Sequence, residues 1–351
     1  MKRTILFILL SVSYSLSAQK NAETFLQQEY EAGHFNGAVL IAKKGKIVSR
    51  IQKGQANFQF GIPVTANTRF PIASMTKTFT TILVLQLVEK SRLQLNDLVS
   101  KYIPDLPEKL SHVTIADLLT HYSGLKNEPL QAYSSRYNTA DYIKQFVIPN
   151  DTLKKVSFNY NNVDFVLLTR ILELVTKQTF RQLLQENILT PLKMMNTGLI
   201  RESTIIPNLA YGYHNYTFGS GSNKDTLYND GPIYLSNYSG AGAMYSTTDD
   251  IYFLTQALKT YRLISKETTE QFVLKPQKDI YLKYGRGYPT LGFYINTQSF
   301  AFPILERAGN INGYNSLLLT DTSFDKVVIL LTNTDTGDMH KLGDTLFKLP
   351  D

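Results

Sequence analysis

The sequence predicts an α+β protein, an antiparallel sheet flanked by helices with a mainly helical domain inserted into it. Two observations predict this. Strand-like runs occupy both ends of the chain, and the stretch from Ser74 to about Gln185 reads as helices. Strands that far apart share one sheet only if the segment between them is an insertion. The expected division is residues 19–73 and 240–351 for the sheet domain and 74–239 for the helical one, with a site at their interface. No internal repeat or low-complexity tract disturbs that order.

Residues 1–18 read as a secretory leader. Lys2 and Arg3 form its basic start, Ile5–Leu10 its apolar centre and Ser15-Leu16-Ser17-Ala18 its small-residue end. The apolar run is too short to span a bilayer. The mature protein is therefore expected in the periplasm or outside the cell, with no stable membrane insertion. Gly37-Ala38-Val39-Leu40-Ile41 and Lys46-Ile47-Val48 flank Lys43-Lys44-Gly45, a hairpin signal. Extended sequence follows to Phe70.

A helix over 75–90 is apolar nearly all round, as a buried helix is. A shorter one spans Thr114–His121, with Ile115, Leu118 and Leu119 on one face and a left-handed cap expected at Gly124. A third covers 163–176, where Val163, Val166, Leu167, Ile171 and Leu174 make one stripe. Residues 200–240, rich in Gly, Asn, Tyr and Ser, predict long loops. Strands are expected at 291–296, 301–308, 315–320 and 327–332, then a short terminal helix.

The 351 residues contain no cysteine, which excludes disulfides, a cysteine-linked lipid and thiol chemistry. The formal charge is +7, and Lys2 and Arg3 belong to the leader, leaving about +5. Basic residues such as Lys43, Lys44, Lys46, Lys154 and Lys155 are scattered, so nucleic-acid binding is not indicated. A small-molecule or peptide substrate is the expected partner.

Chemistry concentrates in Phe70-Pro71-Ile72-Ala73-Ser74-Met75-Thr76-Lys77. Pro71 disfavours helix at Phe70, so an extended segment turns into a helix here. Ser74 and Lys77, three apart, share a helical face. A buried lysine has a depressed pKa and can take the serine proton. The helix start supplies amides for a developing oxyanion. The S-x-x-K spacing recurs at Ser17–Lys20, Ser123–Lys126 and Ser323–Lys326, in leader or loop contexts that cannot hold a lysine on a serine. On the pattern alone, Ser74 as a helix cap and Lys77 as a surface lysine remains an open alternative.

Tyr160 and Asn162, two apart before the third helix, can point the same way in an extended loop. A tyrosine beside a lysine is stabilised as phenolate and can carry a proton to the leaving group. The Asn162 amide can orient both lysine and substrate. Tyr213–Asn215 and Tyr294–Asn296 share the spacing. Arg307-Ala308-Gly309-Asn310, expected at a strand end, offers a cation for a substrate carboxylate, a glycine for close approach and a second oxyanion amide at Asn310. Arg307 as a surface ion-pair partner remains open beside that reading. The five histidines show no ligand spacing, His121 reads as a structural residue at a helix end, and no metal or organic cofactor is expected. No G-x-S-x-G surrounds any serine, against a Ser-His-Asp esterase.

Together, S-x-x-K, Y-x-N and cation-x-G in this order resemble the penicillin-binding and β-lactamase-type serine hydrolases. The phrases around Thr68–Ser74, Leu95–Asp97, Lys101–Pro104, Leu118–Leu125, Pro191–Met194 and Gly240–Thr247 are similar to the class C β-lactamase-related branch, over roughly residues 35 to 335. That branch includes D-peptidases, D-aminopeptidases and esterases. The resemblance implies the β-lactamase/transpeptidase-like fold and an acyl-enzyme on Ser74, with Lys77 and Tyr160 carrying protons. The substrate it implies is an ester, a D-amino-acid peptide or a β-lactam-like amide. A catalytically silent relative that binds cell-wall peptides or a protein partner is the alternative. The chain departs from the family where the usual Lys or His is Arg307, which keeps the charge but cannot release a proton. It also lacks a clear counterpart of the class A deacylating glutamate, which puts efficient β-lactamase activity in question.

Overall fold

A computed structural model describes residues 21–150, 157–215, 219–229, 231 and 233–350. The leader reading of residues 1–18 lies outside them. Seven strands form the main sheet: β1 (Gly37–Lys43), β2 (Lys46–Lys53), β3 (Tyr288–Pro289), β4 (Tyr294–Asn296), β5 (Ile304–Ile311), β6 (Tyr314–Asp321) and β7 (Val327–Thr332). Their order is β3-β4-β5-β6-β7-β1-β2, and every pairing is antiparallel. The N-terminal hairpin docks on the last strand, Gly37 opposite Thr332 and Ala42 opposite Val327.

Strand β7, VVILLT, is apolar but for its last residue because both faces of the sheet are covered there. In β7, Val328 and Leu330 meet Leu342, Leu346 and Phe347 of the terminal helix, Met339–Lys348, and Leu26 of the helical residues 21–32. Val327, Ile329 and Leu331 turn to the other face and join Met75 and Phe79. A one-residue slip would send each to the wrong face, and each buried side chain contributes about 1.5–3 kcal/mol. The helices that matter here are α1 (Thr76–Glu89), α2 (Ile115–Thr120), α3 (Thr139–Phe146), α4 (Val163–Thr176), α5 (Thr248–Lys259) and α6 (Met339–Lys348). One apolar cluster runs from Leu40 and Leu318 of the sheet to Leu118 of α2 and Leu168 of α4. Helical and sheet parts thus share a core. Among the described residues no helix is long and apolar enough to cross a membrane.

Three local expectations change. The residue that ends α2 in the left-handed region is His121 (φ 60°), and Tyr122 N–H returns to Asp117 O at 2.8 Å. Gly124 comes later, in the following turn. The strand expected at 301–308 runs Ile304–Ile311, because the hairpin turn lies at Asn312-Gly313, where Gly313 has φ +71°. Arg307 is consequently in mid-strand, not at a strand end. Residues 290–292 are not strand: Gly292 has φ +91° and Thr290 N–H bonds Phe293 O across the turn.

Candidate active site

The segment Phe70–Pro71 is a short strand paired with Met244–Ser246, and it passes into a single 3₁₀ turn, Ala73–Met75, before α1 begins. Ser74 lies inside that turn. Ala73 holds φ 45°, a conformation that costs a residue with a Cβ, so the turn is strained where the serine is presented. Helix α1 is buried over nearly its whole circumference, Lys77 included. That burial accounts for its apolar sequence.

Three acceptors surround the Lys77 ammonium: Ser74 Oγ at 3.1 Å, Asn162 Oδ1 at 2.7 Å and Ala241 O at 2.8 Å. Tyr160 OH donates to Ser74 Oγ at 2.7 Å. Ser74, Lys77, Tyr160 and Asn162 therefore meet, although the two pairs lie more than eighty residues apart in sequence. Burial lowers the Lys77 pKa and Arg307 adds to this, against the opposing pull of Tyr160 and Glu128. Burial pushes the Tyr160 phenol up, but Lys77, Arg307 and its hydrogen bonds more than offset this and leave it below the usual tyrosine range.

The partners also fix which way Lys77 faces. A carbonyl accepts only, so Ala241 O and Asn162 Oδ1 claim two N–H bonds. A neutral Lys77 then has its lone pair left for Ser74 Oγ–H. The Asn162 amide cannot turn over, because its Nδ2 donates to Glu128 Oε1 at 2.8 Å. Glu128 also accepts from Tyr133 OH at 2.6 Å, and its Oε2 is buried without a partner. Glu128 has no signal in the sequence, where it follows an unremarkable turn.

Tyr160 packs 4.4 Å from the His121 ring and 5.7 Å from Tyr284, centroid to centroid. His121 Nδ1 faces Asp164 Oδ2 at 2.9 Å, and both are buried. Burial, with Lys77 and Arg307 nearby, holds the imidazole well below its usual range, and burial raises Asp164. The asparagines on either side of Tyr160 hold the backbone: Asn159 Nδ2 bonds Leu125 O, and Asn161 Oδ1 accepts Asp164 N–H in the first turn of α4. These contacts pin the loop that carries Tyr160.

Strand β5 forms the opposite wall. Arg307 donates from Nε and Nη2 to Ser74 O, at 3.1 and 2.6 Å, and its guanidinium lies 6.0 Å from the Tyr294 ring centroid. Much of its fork is thus spent on the nucleophile's own peptide, a contact the sequence does not suggest. Gly309 is required: a Cβ there would lie 2.3 Å from Ile72 O and 2.8 Å from Ser74 N. Its absence lets β5 lie against the serine turn. Asn310 lies on the same rim, with its side chain hydrogen-bonded to Asn315. A cleft of about 780 Å³ opens here, lined by Ser74, Tyr160, Asn162, Arg307, Gly309 and Asn310 among others. A second cavity of about 800 Å³, between residues 102–107 and α3, has no serine in its lining.

Residues 22–349 match the family model described as beta-lactamase. The chain belongs to the beta-lactamase family. It is accordingly a serine hydrolase by family, with the mixed helix–sheet fold the family shares. A teichoic acid D-alanine hydrolase of Staphylococcus aureus is 30% identical over 324 residues, covering 91% of this chain and 74% of that protein. The crystal structure of FmtA from Staphylococcus aureus superposes with a TM-score of 0.80 at 25% identity, covering 94% of this chain and 88% of that one. The D-amino acid amidase of Ochrobactrum anthropi SV3, complexed with D-phenylalanine, shares the fold at a TM-score of 0.82 and 21% identity, over 95% and 98% of the two chains.

Proposed function

We propose that this beta-lactamase family member is an exported hydrolase that removes D-aminoacyl groups, held as esters or amides, through an acyl-enzyme on Ser74. The observation that carries the reading is the position of Ser74 Oγ, bonded by Lys77 Nζ at 3.1 Å and Tyr160 OH at 2.7 Å in the open cleft. The cleft between β5 and the helical segment takes the substrate. Ser74 Oγ attacks the carbonyl carbon while Lys77 and Tyr160 take its proton. The Ser74 and Asn310 amides face the oxyanion. Collapse of the intermediate breaks the bond to the alcohol or amine, which leaves with the relayed proton. Water then attacks the acyl-enzyme through the same groups in reverse. Asn162 orients Lys77 and the substrate. Arg307 holds the serine peptide in place, and the part of it that lines the cleft pairs with a substrate carboxylate where there is one.

The D-aminoacyl choice rests on the staphylococcal relative's D-alanine substrate. The test is a hydrolysis screen of D-alanine esters, D-amino acid amides, D-Ala-D-Ala peptides and a chromogenic β-lactam. D-alanine esters should be turned over fastest, faster than their L counterparts. Preference for L esters would remove the assignment, and no turnover of any class would point to the silent binding protein instead. Export is tested separately: the mature protein should begin after Ala18, and recovery of an intact N-terminus from cells would contradict it.

A further inference from the structure

On the far side of the segment 235–243 from Ser74 lies a second, smaller hollow of about 260 Å³. Leu235 and Gly242 of that segment line the space over Ser74, whereas Ser236, Ser239 and Ala243 line the hollow. One short stretch of chain therefore forms a wall of both. Three arginines, Arg136, Arg181 and Arg201, line the hollow and are exposed. None pairs with a carboxylate among the described residues; Arg181 Nη2 reaches only Leu199 O at 3.4 Å. The one acid in the lining, Glu173, is already engaged, accepting Phe180 N–H at 3.1 Å and facing Arg170 at 3.8 Å. Nearby Glu202 accepts both the N–H and the hydroxyl of Ser236. Partial burial lowers the Arg181 pKa, and Arg201 lowers it further against the opposing pull of Tyr245, as neighbouring like charges do.

Exposed guanidiniums gathered round one hollow without a carboxylate partner give it a positive potential that attracts an anion. Guanidinium forks match the oxygens of phosphate in bidentate fashion, and Thr139 lines the hollow with them, whereas the Ser236 and Ser239 hydroxyls already donate to Glu202 and to Ser236 O. We infer that the hollow of Arg136, Arg181 and Arg201 is a phosphate subsite. It binds a phosphate of the polymer whose aminoacyl ester lies at Ser74. The inference rests on the hydrolase reading above and specifies its substrate as an aminoacyl ester carried on a phosphodiester-linked polyol chain. It also assigns a use to the unpaired positive charge of this face, beyond anything the catalytic groups need.

Two readouts on the full chain keep the subsite and the hydrolase reading apart. The first is the ratio of kcat/KM on a D-alanylated glycerol-phosphate oligomer to that on D-alanine methyl ester, in wild type and in Arg136→Ala/Arg181→Ala/Arg201→Ala. The ratio should fall about ten- to a hundredfold. Single Arg181→Lys should recover part of the loss, because a point charge does not reproduce a fork. The second is ³¹P NMR titration with inorganic phosphate, which needs no turnover. Phosphate should bind wild type measurably tighter than the triple variant. An unchanged ratio overturns the subsite while leaving the hydrolase intact. Tight phosphate binding without ester turnover keeps the subsite and removes the hydrolase. Equal protection by a polycarboxylate overturns phosphate recognition in favour of charge alone. Arginine-dependent flotation with phosphatidylglycerol vesicles, stronger than oligomer binding, would move the phosphate from a polymer to a lipid headgroup and overturn the polymer assignment.

Discussion

The two hollows divided by the segment 235–243 treat positive charge in opposite ways. On one side Lys77 is buried, and its three donors all have acceptors. On the other, three arginines are exposed and pair with no carboxylate among the described residues. A buried, fully partnered cation has a shifted pKa and is free only to exchange its proton, which suits catalysis. Exposed, unpartnered cations keep their charge at any working pH and wait for an anion, which suits recognition. Charge alone therefore does not set Lys77 apart from the three arginines; burial and completed hydrogen bonds do.

That contrast breaks most sharply at its buried side. Ser74→Ala should lower kcat by at least about a thousandfold with the fold retained. Lys77→Met and Tyr160→Phe act on one proton path, so the double variant should cost little more than the worse single one. Additive losses in kcat would show two independent roles. Glu128→Gln comes next. It replaces the acceptor that holds the Asn162 amide with a group that can also donate, so the amide can turn and Lys77 loses its orientation. We expect about a ten- to hundredfold loss of kcat, with KM changed much less and partial rescue in Glu128→Asp. A loss confined to KM would make Glu128 a substrate contact instead.

Arg307 probes the buried side through pH. It lowers the pKa of both Lys77 and Tyr160. The rate needs the proton-accepting form of the pair, so kcat/KM should rise with pH through their apparent pKa. Removing the cation raises both values, so the rising limb of Arg307→Ala should move to higher pH. Arg307→Lys keeps the charge and should leave the limb where it is. A limb that stays in place in Arg307→Ala would restrict the residue to its bond with the Ser74 carbonyl. The smallest effect is expected at Tyr284, which is 73% exposed, lines the cleft and packs on the Tyr160 ring. Tyr284→Ala should change KM a few-fold and kcat less, a split that steady-state kinetics resolves.

Much of the frame is legible in the residues, because its signals are local. The apolar stripe over 163–176 predicts a helix, and α4 occupies Val163–Thr176, since the stripe follows the helical period and is buried as one face. The run at 327–332 predicts a strand, and β7 occupies it, as an unbroken apolar run must lie between two covered faces. The motifs place Ser74, Lys77, Tyr160 and Asn162 near one another, and they are in contact; their catalytic roles stand as proposals. What the sequence does not show depends on distance along the chain. Glu128 meets Asn162 across 34 residues, and Arg307 meets Ser74 across 233. The arginine hollow assembles residues 136, 181 and 201 from three separate segments. The αL cap falls on His121 because α2 ends against the Tyr160 loop, whose Asn159 N–H bonds His121 O at 2.9 Å. No glycine rule anticipates that contact.

Every other assignment depends on Ser74 being the nucleophile, activated by the buried pair around it. Intact-mass and peptide analysis after treatment with a fluorophosphonate probe decides this. Wild type should gain one adduct, on Ser74, and Ser74→Ala should gain none. Lys77→Met should acquire it far more slowly, because its hydroxyl has lost the base. An adduct on any other serine, or full hydrolysis of a D-alanine ester by Ser74→Ala, would show that the nucleophile lies elsewhere.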